Sequence, residues 1–145
     1  MKFTIPNEHN KFLGKILENI DLNPYIVKIY DDQVFVGTKF LFSKDQYEGA
    51  EFKKIIDNKV LYYSLFVNLE FFYHGNDMRK VDTISDVLSK RVSLVLIIID
   101  GRFVEVYSMN KELLQHIFQN AVNNDFKDLT DITDINFKNK TLCAM

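Results

Sequence analysis

Residues 92–108 read VSLVLIIIDGRFVEVYS, two apolar runs hinged on Asp100 and Gly101. In a two-residue hairpin loop both central residues need positive φ, which Asp tolerates and Gly adopts freely, so Asp-Gly between apolar runs signals a hairpin. With no bulge, the turn sets Ile99 opposite Arg102, Ile98 opposite Phe103, Ile97 opposite Val104, Leu96 opposite Glu105, Val95 opposite Val106 and Leu94 opposite Tyr107. Apart from Ser93 the first run is apolar on both faces, the pattern of a central strand in a covered sheet. In the second run Glu105 stands between Phe103 and Tyr107, which puts that face nearer a sheet edge or a wet pocket. A membrane span is excluded, since it needs about 20 apolar residues.

Helices are expected on both sides of this hairpin. Asp82 caps a short one running to Lys90, with Ile84, Val87 and Leu88 inward and Lys90 and Arg91 at its C-terminal end. Asn110 caps the clearest helix of the chain, in which Leu113, Leu114, Ile117, Phe118, Ala121 and Val122 form one stripe before Asn123-Asn124. Further upstream, 60–73 is the longest β signal. Its odd positions from Leu61 to Tyr73 are all apolar or aromatic, whereas Ser64, Asn68 and Glu70 occupy even ones. A straight strand of that length would span about 46 Å at ~3.3 Å per residue, so a bend, bulge or overhang is expected.

The N-terminal part reads as a short strand at Lys2–Ile5 stopped by Pro6, and then a helix capped by Asn7 with Phe12, Leu13, Ile16, Leu17 and Ile20 on one face. A second, weaker hairpin follows, with Tyr25–Tyr30 and Gln33–Val36 as strands around an Asp31-Asp32 turn. Phe40-Leu41-Phe42 suits a short strand. A helix is expected over about 46–58, starting after Gly49, because glycine inside a helix costs about 1 kcal/mol relative to Ala. Leu129–Thr133 reads as a strand, 136–140 as a turn and Thr141–Ala144 as a last short strand. A helix followed by a hairpin thus occurs at 8–36 and again at 82–108, an arrangement that hints at duplication without a match in residues. The mixture predicts an α+β single domain over 1–145, a mainly antiparallel sheet of hairpins with three to four helices packed on it.

At 145 residues the chain is long enough for one ordinary core, and 47% hydrophobic with 26% charged residues excludes disorder and fibre. Formal net charge is −2 with scattered Lys and Arg, which argues against nucleic acid. A single cysteine, Cys143, cannot form an internal disulfide, and MKFTIPNEH lacks an apolar targeting segment, so a cytoplasmic protein is expected. Thirteen Phe and 7 Tyr without Trp suit a Phe-rich core or an aromatic surface.

Chemistry is sparse. His9, His74 and His116 are isolated, and no paired Cys, His-x-x-x-His or Gly-rich phosphate loop occurs, so neither a metal nor a cofactor is expected. Asp125, Asp128, Asp131 and Asp134 recur every three residues, unlike the alternating oxygens and central glycine of a calcium loop. The catalytic candidates are Glu70 and Glu105, carboxylates in strands that otherwise read as buried, with His74 just after the first.

The segments Phe3-Thr4-Ile5-Pro6-Asn7-Glu8, Phe12-Leu13, Ile16-Leu17, Glu48-Gly49 before Glu51-Phe52-Lys53, Tyr62–Leu69, the Leu94–Tyr107 hairpin and Ile132-Thr133-Asp134 resemble an uncharacterised family of about 150-residue proteins from Bacillus-type bacteria. Tyr73-His74-Gly75 departs from the Pro-Lys-Gly-like turn of that family, and no residue role is implied by the resemblance. Strands and apolar faces without a catalytic constellation point to a non-enzymatic protein-binding domain, a class that includes inhibitors, immunity-type proteins and self-associating domains. The alternative is a small-molecule-binding domain or small enzyme with a pocket lined by Tyr62, Phe66, Phe103 and Tyr107 and a Glu/His acid–base group.

Overall fold

The computed structural model describes residues 1–130; the expected turn and strand over 136–144, and Asp131, Asp134 and Cys143, lie outside the described residues. The elements are β1 (Lys2–Thr4), α1 (Phe12–Ile16), β2 (Tyr25–Val36), β3 (Lys39–Phe40), β4 (Gln46–Glu48), α2 (Gly49–Ile56), β5 (Tyr63–Tyr73), α3 (Ile84–Leu88), β6 (Leu94–Ile99), β7 (Phe103–Tyr107), α4 (Lys111–Asn123) and β8 (Lys127–Thr130). The strands form one sheet in the order β3-β2-β5-β6-β7-β1-β8, with β4 also on β2, and every pairing is antiparallel. The α+β expectation holds.

Strand β6 is central, as its two-faced apolarity requires. Leu94, Leu96 and Ile98 join the larger core with α1, α2 and α4, whereas Val95 and Ile97 join a smaller core with Phe72, Val81, Ile84, Val87, Val92 and Tyr107. Alternation along the strand sends successive side chains to opposite faces, so α3 and its flanking chain cover one face and the other three helices cover the opposite one.

The hairpin turn forms as its residues dictate, with φ of 59° at Asp100 and 65° at Gly101 and the Arg102 N–H bonded to the Ile99 carbonyl at 3.2 Å. The register differs by one residue: Ile99 pairs with Phe103, Ile97 with Glu105 and Val95 with Tyr107. Arg102 is left over as a bulge, its carbonyl taken by the Ile5 N–H at 2.8 Å. Glu105 therefore shares the face of Ile97 and the smaller core, not the face of Leu96.

The expected second hairpin is instead one strand. Both halves of β2 pair with β5, and the Asp31-Asp32 step is a bulge, with φ of 53° at Asp31, rather than a reversal. Two adjacent carboxylates suggest a turn locally, but the long β5 supplies a continuous partner on both sides of them. The duplication hint falls with that hairpin. The irregularity anticipated in β5 lies where Gln33 pairs with Phe66 and Val34 with Ser64, and there the alternation switches. Tyr63, Leu65 and Phe66 are only partly buried, but beyond the switch Val67, Leu69 and Phe71 enter the larger core and Asn68, Glu70 and Phe72 lie buried on the other face.

The helices keep most of their apolar faces with shifted ends, and Val122, expected on the stripe of α4, is exposed. Asn110 caps α4 by accepting the Leu113 N–H at 3.1 Å. Asn7 does not cap α1; it accepts from the Tyr63 hydroxyl, and Lys11 stands at the cap position. Helix α3 starts after Thr83, and Leu88, expected to point inward, is exposed. Helix α2 begins on Gly49, where a Cβ would lie 1.7 Å from the Leu22 carbonyl oxygen.

Candidate functional site

Glu70 is fully buried on the α3 face of β5, between Lys28 of β2 and Val95 of β6. The connection from β5 to β6 folds back over this face and brings the Val81 N–H to Oε1 at 2.9 Å. The other oxygen, Oε2, is buried with no hydrogen-bond partner, and the same is true of both amide atoms of Asn68 two residues earlier. Desolvation pushes the Glu70 carboxyl up to about 7, and it outweighs the Val81 N–H, Lys80 and Arg91, which favour the charged form; Asp82 adds to the rise.

Polar and basic groups hold the covering chain. Lys28 Nζ donates to the Met78 carbonyl at 3.4 Å, and Lys80 Nζ sits 5.3 Å from the centre of the Tyr30 ring. The Arg91 guanidinium donates to the carbonyls of Asp77, Arg79 and Lys80 and pairs with the Asp86 carboxylate at 3.3 Å. Asp86 Oδ2 also accepts the N–H groups of Asp82 and Thr83, at 2.9 and 3.2 Å, and its carboxyl lies below the usual range chiefly through the first of these.

Glu105 lies on the same face as Glu70 but on β7, with β6 between them, and accepts from the Tyr107 hydroxyl. His74 is elsewhere. It sits exposed at the end of β5, where Nδ1 donates to the Pro24 carbonyl at 3.0 Å and Nε2 to Glu48 Oε2 at 2.6 Å. The three acid–base candidates are thus not brought together.

The aromatic candidates separate in the same way. Tyr62 is buried in the larger core, its hydroxyl accepting the Gly14 N–H at 3.1 Å and donating to the Ile56 carbonyl at 2.9 Å. Tyr107 belongs to the smaller core, against which Phe66 packs. Phe103, on the face of Tyr107, is 47% exposed at the hairpin tip. Next to it an open cleft of about 540 Å³ is lined by Arg102, Thr4, Lys127, Asp125 and Asp128 among others. His9 is exposed against the Tyr63 ring and His116 half-buried on α4. Among the described residues no group of three or more His, Cys, Asp and Glu side chains is placed to hold a metal ion, and no helix is long and apolar enough to cross a membrane.

Sequence reasoning singles out Glu70 but not the chain that closes over it. Val81, Lys28 and Arg91 act there through contacts between distant segments, which local pattern does not report.

The family described as "Protein of unknown function (DUF2691)" matches residues 1–143. The chain belongs to this family. A relative within reach of full-length comparison is "Uncharacterized protein YncE" of Bacillus subtilis (strain 168), 31% identical over 142 residues, which make up 94% of this chain and 92% of that protein. No solved structure matches the chain. The resemblance drawn from the N-terminal, β5 and hairpin segments is therefore to a true relative, and the family's description assigns no activity to Glu70, Phe103 or any other position.

Proposed function

We propose that the chain is a non-enzymatic protein-binding domain whose partner docks on the hairpin tip. The observation that carries this reading is the half-exposed Phe103 next to Arg102 at the mouth of the β1/β7/β8 cleft. Aromatic and Arg side chains are the residue types enriched where protein surfaces meet and where truncation costs most. The tip is also held in place: Gly101 N–H donates to the Leu65 carbonyl at 2.8 Å, and Gly101 is packed against the Tyr63 hydroxyl. A preset surface loses less entropy on docking than a mobile one. An inhibitor, an immunity-type protein and a self-associating domain would all use such a surface.

The alternative, a small-molecule site or an acid–base enzyme, draws support from the raised carboxyl of Glu70. It has the weaker geometry, because His74 is engaged with Glu48 and Glu105 lies across β6.

Photocrosslinking tests the proposal. A photoreactive phenylalanine analogue is placed at 103 and, as a control, at the exposed Phe40 on β3, and the chain is irradiated in the cells that make it. An adduct of defined mass at 103 and none at 40 is expected, and twice the chain mass would identify a second copy as partner. No adduct at 103, or the same adducts at both positions, would overturn the reading.

A further inference from the structure

The connection 74–93 between β5 and β6 lies over the sheet, and it does so on top of a carboxyl group whose needs it meets by half. Glu70 Oε1 has the Val81 N–H, while Oε2 is buried without a donor. Both amide atoms of the neighbouring Asn68 are likewise without partners. Leaving such groups uncovered would let water satisfy them, so closing the strap over them has a cost that depends on the charge of Glu70. The groups facing Glu70 are Lys28 and Tyr30 from β2 and Lys80, Asp82 and Arg91 from the strap; β6 places Val95 against it, and Glu105 and Tyr107 of β7 lie beyond β6. The opposite side of the sheet keeps its cover of α1, α2 and α4 whether or not the strap is down.

We propose that the 74–93 strap is a latch, held down while Glu70 carries a proton and released when Glu70 ionises. Closed, the charged carboxylate has one N–H for two oxygens; open, both oxygens reach water. A neutral carboxyl loses far less on being covered. The sign follows from the burial that raises the closed-state carboxyl from 4.5 to about 7. The closed strap is fully favoured below 4.5, and that preference is lost as pH rises through about 7. Release uncovers Phe72, Val95 and Ile97 together with the Glu70 carboxylate and the Asn68 amide, an apolar surface that carries these polar groups.

Amide hydrogen exchange reads the latch directly. Exchange at Val81 and through α3 is measured by NMR at about pH 5 and pH 8, each corrected for the chemical rate, with β6 amides as the reference. The opening constant at Val81 is expected to rise about 50- to 100-fold between those values, while β6 stays protected and Glu70→Gln shows no such rise. Unchanged opening at Val81 in the unaltered chain, or the same rise in Glu70→Gln, would overturn the proposal. Should that variant not fold, carbon-13 titration of the Glu70 carboxyl in the unaltered chain decides: a midpoint near 4.5 sinks the latch.

Discussion

Glu70 is where this sequence places a charge that its fold has to suppress. Because burial raises its carboxyl to about 7 from an unfolded value of 4.5, the folded chain binds more protons than the unfolded one between those limits, and stability falls as pH rises through that window. Glu70→Gln removes the charge and keeps an acceptor for Val81. The variant is expected to be more stable than the parent by about 3 kcal/mol at pH 8 and about equal to it at pH 4, as read by denaturant unfolding. Equal stability at pH 8 would mean that the carboxylate finds water in the folded chain. His74 has the opposite chemistry. Both ring nitrogens face acceptors, the Glu48 carboxylate and the Pro24 carbonyl, so only the doubly protonated ring satisfies both. Its titration is raised above 6.5, first by Glu48 and then by Pro24, and Glu48→Gln is expected to bring it down; an NMR titration in which the variant and parent coincide would refute the pairing. Since the pair is exposed, its effect belongs to the titration and not to stability.

At the level of elements, α2 shows how packing reverses propensity. In a free helix Gly49→Ala would help by about 1 kcal/mol. Here the new methyl would meet the Leu22 carbonyl oxygen at 1.7 Å and its carbon at 2.6 Å, and backbone cannot swing aside as a side chain does. The substitution is expected to destabilise by about 3 kcal/mol, seen as a lowered thermal midpoint; an unchanged midpoint would mean that the close approach is relieved cheaply. Asn110→Ala should cost about 1 kcal/mol in the same assay through loss of the Leu113 cap. These elements were legible to different degrees. The Asp-Gly turn and the α4 cap depend on neighbours in sequence, so their residues announce them. The register of β7 and the continuity of β2 depend on which N–H and carbonyl groups lie alongside, and the bulges at Arg102 and at Asp31-Asp32 have no local signature. The candidate site follows the same rule: Glu70 stands out as a carboxylate in a buried strand, but the strap that covers it and the diversion of His74 to Glu48 are set by contacts between segments.

For the molecule as a whole, the decisive join is made by two short strands at the β7 side of the sheet. β1 lies between β7 and β8, with Phe3 opposite Val104 and Lys2 opposite Thr130, so the last described strand reaches the sheet only through the first. Phe3 is buried and stacks on Phe126 with ring centres 5.6 Å apart, and Thr4 Oγ1 donates to Asp128 Oδ2 at 3.2 Å. Removing residues 1–5 therefore takes away more than three ladder residues. It takes the stacked Phe3 ring from Phe126 and leaves it the edge contact with Phe12, leaves β7 as an open edge and detaches β8, and an open edge next to uncovered apolar residues favours association between chains. The shortened chain is expected to lose its single cooperative unfolding transition and to bind a hydrophobic dye under conditions where the full chain does not. If it unfolded in one transition with the same midpoint, β8 would have to be held by something other than β1, and the strand order would need to be redrawn. The remaining helices cannot compensate, because α1, α2 and α4 cover the larger core from the side and none of them pairs with the exposed ladder of β7.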